Sequence, residues 1–157
     1  MINKIRNRLR LVTIDVLIYR MTEINIIQLP DLGFDIHMES LLKGKKKYFI
    51  INNGVCVHSS FLFKKLNILK LIQKKGPAIG DCFTNPDFRG KSIYPFVISY
   101  IAKEMLIENK IKEVFIIVSS DNRSSIQGIE KAGFTKYASI KARRWLFFYF
   151  NKDILIN

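Results

Sequence analysis

Apolar positions change their spacing several times along this chain, and each change marks an element. Val12 to Tyr19 and Ile24 to Leu29 are β-branched apolar runs, the second closed by Pro30, and they predict a strand in one or both. Leu32 to Leu42 reads as a short helix or loop, and Lys43 to Lys47 as a solvated turn. Tyr48–Asn52 and Val55–Phe61 flank Asn53-Gly54, which predicts a hairpin because both turn positions need positive φ. Leu62 to Lys75 is mixed and basic, a connection between sheet edges stopped by Gly76-Pro77. Ala78 to Thr84 is the next strand, and Asn85-Pro86-Asp87 opens a turn.

From Ile93 the period changes. Phe96, Val97, Tyr100, Ile101, Met105 and Leu106 recur at three- and four-residue steps, the pattern of an amphipathic helix. Ile111 to Val118 supplies a strand. Ser119 to Asn122 caps a helix running to about Ala132, which Gly133 ends. Thr135–Ile140 and Trp145–Phe150 read as two last strands joined by the basic Lys141–Arg144. With no repeat, linker or low-complexity segment, residues 1–157 read as one domain.

Composition narrows the partners. Twenty-six Lys and Arg stand against 13 Asp and Glu, a formal charge of +13 that favours anions: a phosphorylated cofactor, nucleic acid or an anionic membrane. No recognised nucleic-acid motif accompanies the charge, which argues against that partner. Met1 to Arg10 alternates Lys4, Arg6, Arg8 and Arg10 with Ile2, Ile5 and Leu9, a short basic arm able to touch a membrane surface or lie solvated. No stretch is long and apolar enough for a membrane span, and Met1 to Leu11 lacks a signal-peptide core, so the cytosol is the expected compartment. Cys56 and Cys82 sit in apolar runs outside any Cys/His cluster. They read as reduced core residues, and no metal site is expected.

The chemistry concentrates between Ala78 and Phe134. A strand opening into a helix through a turn bearing Arg89, Gly90 and Lys91 can receive a phosphate, since first-turn amides lack intrahelical partners. A second strand–helix unit follows, so the two strands form a parallel pair with a crevice at their ends.

Asn122-Arg-Ser-Ser-Ile-Gln-Gly-Ile-Glu-Lys-Ala-Gly133-Phe134 resembles the "Asn…Glu-Lys-x-Gly-Phe" helix of the GNAT superfamily of acyl-CoA-dependent N-acetyltransferases. Arg89-Gly-Lys-Ser-Ile-Tyr94 is similar in part to that family's pyrophosphate loop, Gln/Arg-x-x-Gly-x-Gly/Ala, with Ser92 for the central glycine and Tyr94 for the last small residue. Serine serves there if its φ stays negative, and its hydroxyl can add a donor; Tyr94 brings bulk where small residues allow close packing. The likeness spans roughly residues 48–150. It implies a mixed α+β fold, a curved mixed sheet with helices on both faces and a splayed parallel pair.

The resemblance further implies acetyl-CoA, or another acyl-CoA, as co-substrate. Its pantetheine would pair with the strand near Cys82, Phe83 and Thr84, and its diphosphate would sit among Arg89, Gly90, Lys91, Ser92, Ile93 and Tyr94. Asn122 would contact the pantetheine, cap the second helix, or both. Members whose loop reads Arg-Gly-Lys-Gly-Ile-Tyr-Pro are associated with bacterial surface-polysaccharide synthesis, so the resemblance implies a primary amine as acceptor, with an amino sugar one candidate beside the aminoglycosides, protein termini, polyamines, amino acids and sugar nucleotides that family members acylate. The tyrosine that often protonates the leaving thiolate is replaced by Ile129. Candidate proton carriers are therefore His58, Asp81, Tyr94 and Tyr137, the first two as bases and the last two as acids. The short N-terminal portion leaves the acceptor lid reduced or supplied by a second subunit, as in a homodimer. A binding module that lost catalysis, and a basic protein of nucleic acid or membrane surfaces, are the competing readings.

Overall fold

A computed structural model describes residues 11–146 and 148–157. The strands are β1 (Val12–Met21), β2 (His37–Ser40), β3 (Lys46–Asn52), β4 (Val55–Phe63) and β5 (Ala78–Thr84). Helix α1 (Ile93–Lys103), β6 (Val114–Ser119), α2 (Arg123–Lys131), β7 (Thr135–Trp145) and β8 (Phe148–Ile156) complete the chain. All eight strands join one sheet in the order β2-β3-β4-β5-β6-β1-β7-β8. Every neighbouring pair is antiparallel except β5 and β6. The mixed α+β architecture expected from the sequence is present.

Alternation along the strands divides the interior into two cores. Val114, Ile116 and Val118 face one side with Tyr48, Ile50, Val57 and the buried stripe of α1, Ile93, Val97, Ile98 and Ile101, and with Ile129 of α2. Phe115 faces the other side with Ile18, Ala138, Ile140 and Ala142, under a 3-10 turn at Asn67–Ile72 that buries Leu69 and Ile72. Among the described residues helical cover is thus uneven: two α-helices on one face, a 3-10 turn on the other. Each fully buried Ile or Leu contributes roughly 1.5–3 kcal/mol, so these cores hold the sheet. Beyond Lys103, α1 widens into a five-residue turn, Glu104–Glu108, and Tyr48 ties it to β3 by donating to Glu104 at 2.9 Å.

Several expectations are corrected. Only the first of the two N-terminal runs is a strand; Thr22 and Asn25 bond each other (Oγ1 to Oδ1 2.7 Å), turning residues 23–25 into 3-10 helix. The segment from Leu32 to Leu42 carries β2, which pairs with β3. Of the lysine cluster, Lys46 and Lys47 belong to β3, and the Lys45 ammonium lies 3.9 Å from the Phe61 ring centroid. Lys141–Arg144 is no loop: it continues β7 with Ala142 buried and Lys141 and Arg143 exposed, and the turn comes later. Both cysteines are free, but Cys56 is exposed rather than in the core. The hairpin at Asn53-Gly54 stands as expected, with φ of +50° and +77°. The basic arm Met1–Arg10 lies outside the described residues. Among the described residues no helix is long and apolar enough to cross a membrane.

Candidate functional site

The parallel strands β5 and β6 pair only at Ala78–Phe115 and Ile79–Ile116 and then diverge. Their C-terminal ends, with the loop before α1 and the start of α2, enclose a cavity of about 480 Å³. Crevices at strand ends are where open sheets bind ligands. A bulge sets the divergence: Ser59 faces Phe83 and Phe61 faces Gly80, so β5 carries one residue more than β4, and Asp81 takes φ +49°. Such an extra residue leaves the ladder and re-aims its neighbours.

That bulge removes Asp81 from the site. Strict alternation along β5 would set it on the side of Phe83, but its carboxylate is exposed and pairs with Lys45 at 3.4 Å. Tyr137 is absent from the cavity as well. It packs with the second core, its ring beneath Arg20 (4.6 Å) and Lys74 (5.2 Å), cations that also hold Glu113.

The loop Asn85–Ser92 borders the cavity with Phe88, Arg89, Gly90 and Ser92. Gly90 has φ +76° and Ser92 φ +60°, so left-handed residues bracket Lys91, the kind of turn from which anion nests are built. The condition set for Ser92, a negative φ, is not met. The serine adopts the conformation that suits a glycine, at a cost of about 1–2 kcal/mol. Its hydroxyl does not cap α1; it accepts from Lys131 Nζ at 2.7 Å. The first-turn amides of Ile93 and Tyr94 have no intrahelical acceptor, and Pro95, which has no N–H, is suited to that turn. Arg89 folds back so that its Nε donates to Thr84 O at 3.2 Å, setting its guanidinium at the cavity wall. Lys91 lies over Phe88, 4.9 Å from the ring centroid, and is not part of the wall.

Helix α2 presents a second N-terminus to the same space. Asn122 caps it, its Oδ1 accepting from Ser125 N at 3.2 Å, and Ser124, Ser125 and Gln127 line the wall. Two helix starts therefore converge with Arg89 and Lys131 on one cavity, a concentration of positive potential. The Glu-Lys pair also divides its work. Glu130 accepts from Tyr19 Oη at 2.7 Å and fastens α2 to β1, while Lys131 reaches the loop.

Tyr94 is accommodated by a missing side chain opposite it. A Cβ at Gly128 would lie 2.6 Å from Tyr94 Cδ1 and 2.9 Å from Cε1, so the ring occupies the space that any larger residue in α2 would need. Gly128→Ala is expected to destabilise the fold by about 1–3 kcal/mol through overpacking, against Ala's helix advantage of about 1 kcal/mol. In a Tyr94→Ala background the same change should be neutral or stabilising; urea unfolding of the four-member cycle measures the coupling.

Beneath the cavity floor lies His58, fully buried and 6.1 Å from the Tyr94 ring centroid. Its Nδ1 meets Thr84 Oγ1 at 2.8 Å and its Nε2 meets Ser60 Oγ at 2.7 Å. Both nitrogens are thus engaged, and burial holds its pKa at about 4, so the ring is neutral. Burial likewise pushes the Cys82 thiol up to about 11, which keeps it protonated. Burial raises the Tyr94 phenol far above its ordinary range, and its hydroxyl has no hydrogen-bond partner among the described residues.

The geometry brings Cys82, Phe83, Thr84, Arg89, Gly90, Ser92, Ile93, Tyr94 and Asn122 around one cavity. Sequence reasoning missed Ser124, Ser125, Gln127, Gly128 and Lys131. The helical spacing 124, 127, 128, 131 is the signal that could have found them, since it puts these residues on one face. No Asp, Glu or His lines the wall, and among the described residues none cluster as metal ligands.

No protein-family model matches this chain, and no curated protein matches it by sequence. Solved structures do match. A GNAT-family acetyltransferase from Colwellia psychrerythraea superposes with TM-score 0.59 at 13% identity, over 84% of this chain and 56% of that one. A GNAT-family chain from Novosphingobium aromaticivorans DSM 12444 gives 0.58 at 12% identity, over 81% and 62%. The likeness shows a GNAT-like fold, and this chain spans less than two thirds of either neighbour's length.

Proposed function

We propose that the chain is an acyl-CoA-dependent N-acyltransferase that moves an acetyl group to a primary amine. One observation carries the reading: a cavity between diverging parallel strands, faced by two helix N-termini, Arg89 and Lys131. That arrangement suits a linear thioester with a diphosphate. The pantetheine lies along Cys82–Thr84, where the sheet has opened. The diphosphate takes the amides and cations of the 89–94 loop, and Lys91, at its edge over Phe88, can add a contact.

The amine nitrogen attacks the thioester carbonyl, a C–N bond forms, the C–S bond breaks, and the thiolate takes up a proton. With Cys82 protonated, transfer goes directly to the amine rather than through an acyl-cysteine. Tyr94 offers its free hydroxyl as hydrogen-bond donor to the departing sulfur. The amine proton leaves to solvent, since no carboxylate or imidazole lines the wall. On the likeness of its loop to Arg-Gly-Lys-Gly-Ile-Tyr-Pro, an amino sugar heads the acceptors to try.

Two observations favour a second reading, a binder without turnover: Ile129 stands where the family's acid often does, and both His58 nitrogens are occupied. Calorimetry with acetyl-CoA, followed by thiol release across an amine panel beginning with amino sugars, separates them. Binding with turnover is the expected result. Binding without turnover selects the second reading, and no heat at saturating ligand rejects both.

A further inference from the structure

We propose that the end of the sheet where β1 begins and β7 turns into β8 docks on an anionic lipid bilayer. Register gathers the residues. Trp145 pairs with Phe148 across the hairpin end, Arg144 stands between Val12 and Tyr149, and Arg143 between Thr13 and Phe150. Side chains alternate, so Trp145, Arg143, Phe148 and Phe150 share one face, and Val12, Arg144 and Tyr149 the other. The apolar groups are open to solvent: Leu11 is 48% exposed, Val12 37%, Trp145 41%, Phe148 61% and Phe150 47%. Arg144 and Tyr149 also line a groove of about 530 Å³ that runs to Val16, Ile68 and Ile117, which extends the apolar surface onto the second face. A contiguous exposed patch of this kind marks a site of association.

Chemistry is layered along these strands, and the layering names the partner. Outermost come Leu11, Val12, Trp145 and Phe148. Behind them stand Arg143 and Arg144 beside Phe150 and Tyr149, and neither guanidinium pairs with a carboxylate of the described residues. Further in, Lys141 lies 3.9 Å from Asp15. An apolar front with aromatic rings and unpaired cations just behind it fits a bilayer. The hydrocarbon boundary takes the first row and lipid phosphates take the second. A nucleic-acid strand fits less well, because a strand lying along the face would meet Asp15 and Asp153 on either side of Lys141. The ten residues ahead of Leu11 bring Lys4, Arg6, Arg8 and Arg10 and no carboxylate, so they add to the same field.

Trp145 is the chain's one tryptophan, so its emission reports on this surface directly. The full chain is titrated with vesicles of phosphatidylcholine alone and with vesicles that also carry phosphatidylglycerol, and circular dichroism confirms that each variant is folded. A blue shift is expected with the anionic vesicles, with quenching when their lipid tails are brominated, and neither with the neutral ones. Arg143→Glu with Arg144→Glu should weaken vesicle binding by at least about 25-fold, roughly fivefold for each cation lost. Phe148→Asp should weaken it by about tenfold or more. Lys110→Glu with Lys112→Glu, the same loss of charge at exposed positions beyond the opposite end of β1, should change it far less. Equal losses in the two double variants would mean that the general field holds the lipid, and would overturn the proposal. So would binding without quenching, no binding to anionic vesicles, or a shift produced by nucleic acid or by protein concentration but not by lipid.

Discussion

Reversing two charges at the cavity, Arg89→Glu with Lys131→Glu, is expected to weaken acetyl-CoA binding by at least about 100-fold. Each cation supplies a charge-assisted bond to phosphate worth roughly 1.5–3 kcal/mol, and each glutamate adds repulsion. Lys131 counts twice, because its bond to Ser92 Oγ also steadies the left-handed turn. The control is Lys64→Glu with Lys65→Glu, an equal loss of net charge at exposed positions outside the cavity. If the general field of a +13 protein held the ligand, both double variants would lose affinity alike. The expected result is loss only at the cavity, read by calorimetry at fixed salt.

A second large effect comes from His58 and pH. Its folded pKa of about 4 lies below its ordinary 6.5, so between these values the unfolded chain binds a proton that the folded chain excludes. Stability therefore rises with pH across that window. In the other direction, acidification from 6.5 to 4 removes about 3 kcal/mol, after which this group contributes no further change. His58→Gln has no such proton to exclude. Urea unfolding at both pH values should show the wild type losing about 3 kcal/mol more than the variant. Equal losses would mean that the ring is not sealed between Thr84 and Ser60.

The sheet was legible where local chemistry decides structure. Asn53-Gly54 announces a hairpin because few residues take two successive positive φ values, and the α1 stripe announces itself by period. Lys141–Arg144 reads as a loop by its charge, whereas Ala142 is buried and its neighbours Lys141 and Arg143 are exposed, a period of two masked by a small residue. The site was legible in outline through its loop and its Asn…Glu-Lys helix. What escaped depends on pairing rather than on sequence spacing. The bulge that turns Asp81 away exists only in the register of β5 against β4. The left-handed Ser92 is hidden by a side chain that disguises a glycine's position. The fit of Tyr94 to Gly128 lies between two helices that no local pattern connects.

The structure of the complex with a non-transferable acyl-CoA analogue tests the central claim most directly. The diphosphate is expected on the amides of Ile93 and Tyr94, within reach of Arg89 and Lys131, with the pantetheine between β5 and β6. A ligand bound to the opposite face of the sheet, or a Tyr94 ring swung across the opening with the thioester left outside, would contradict it.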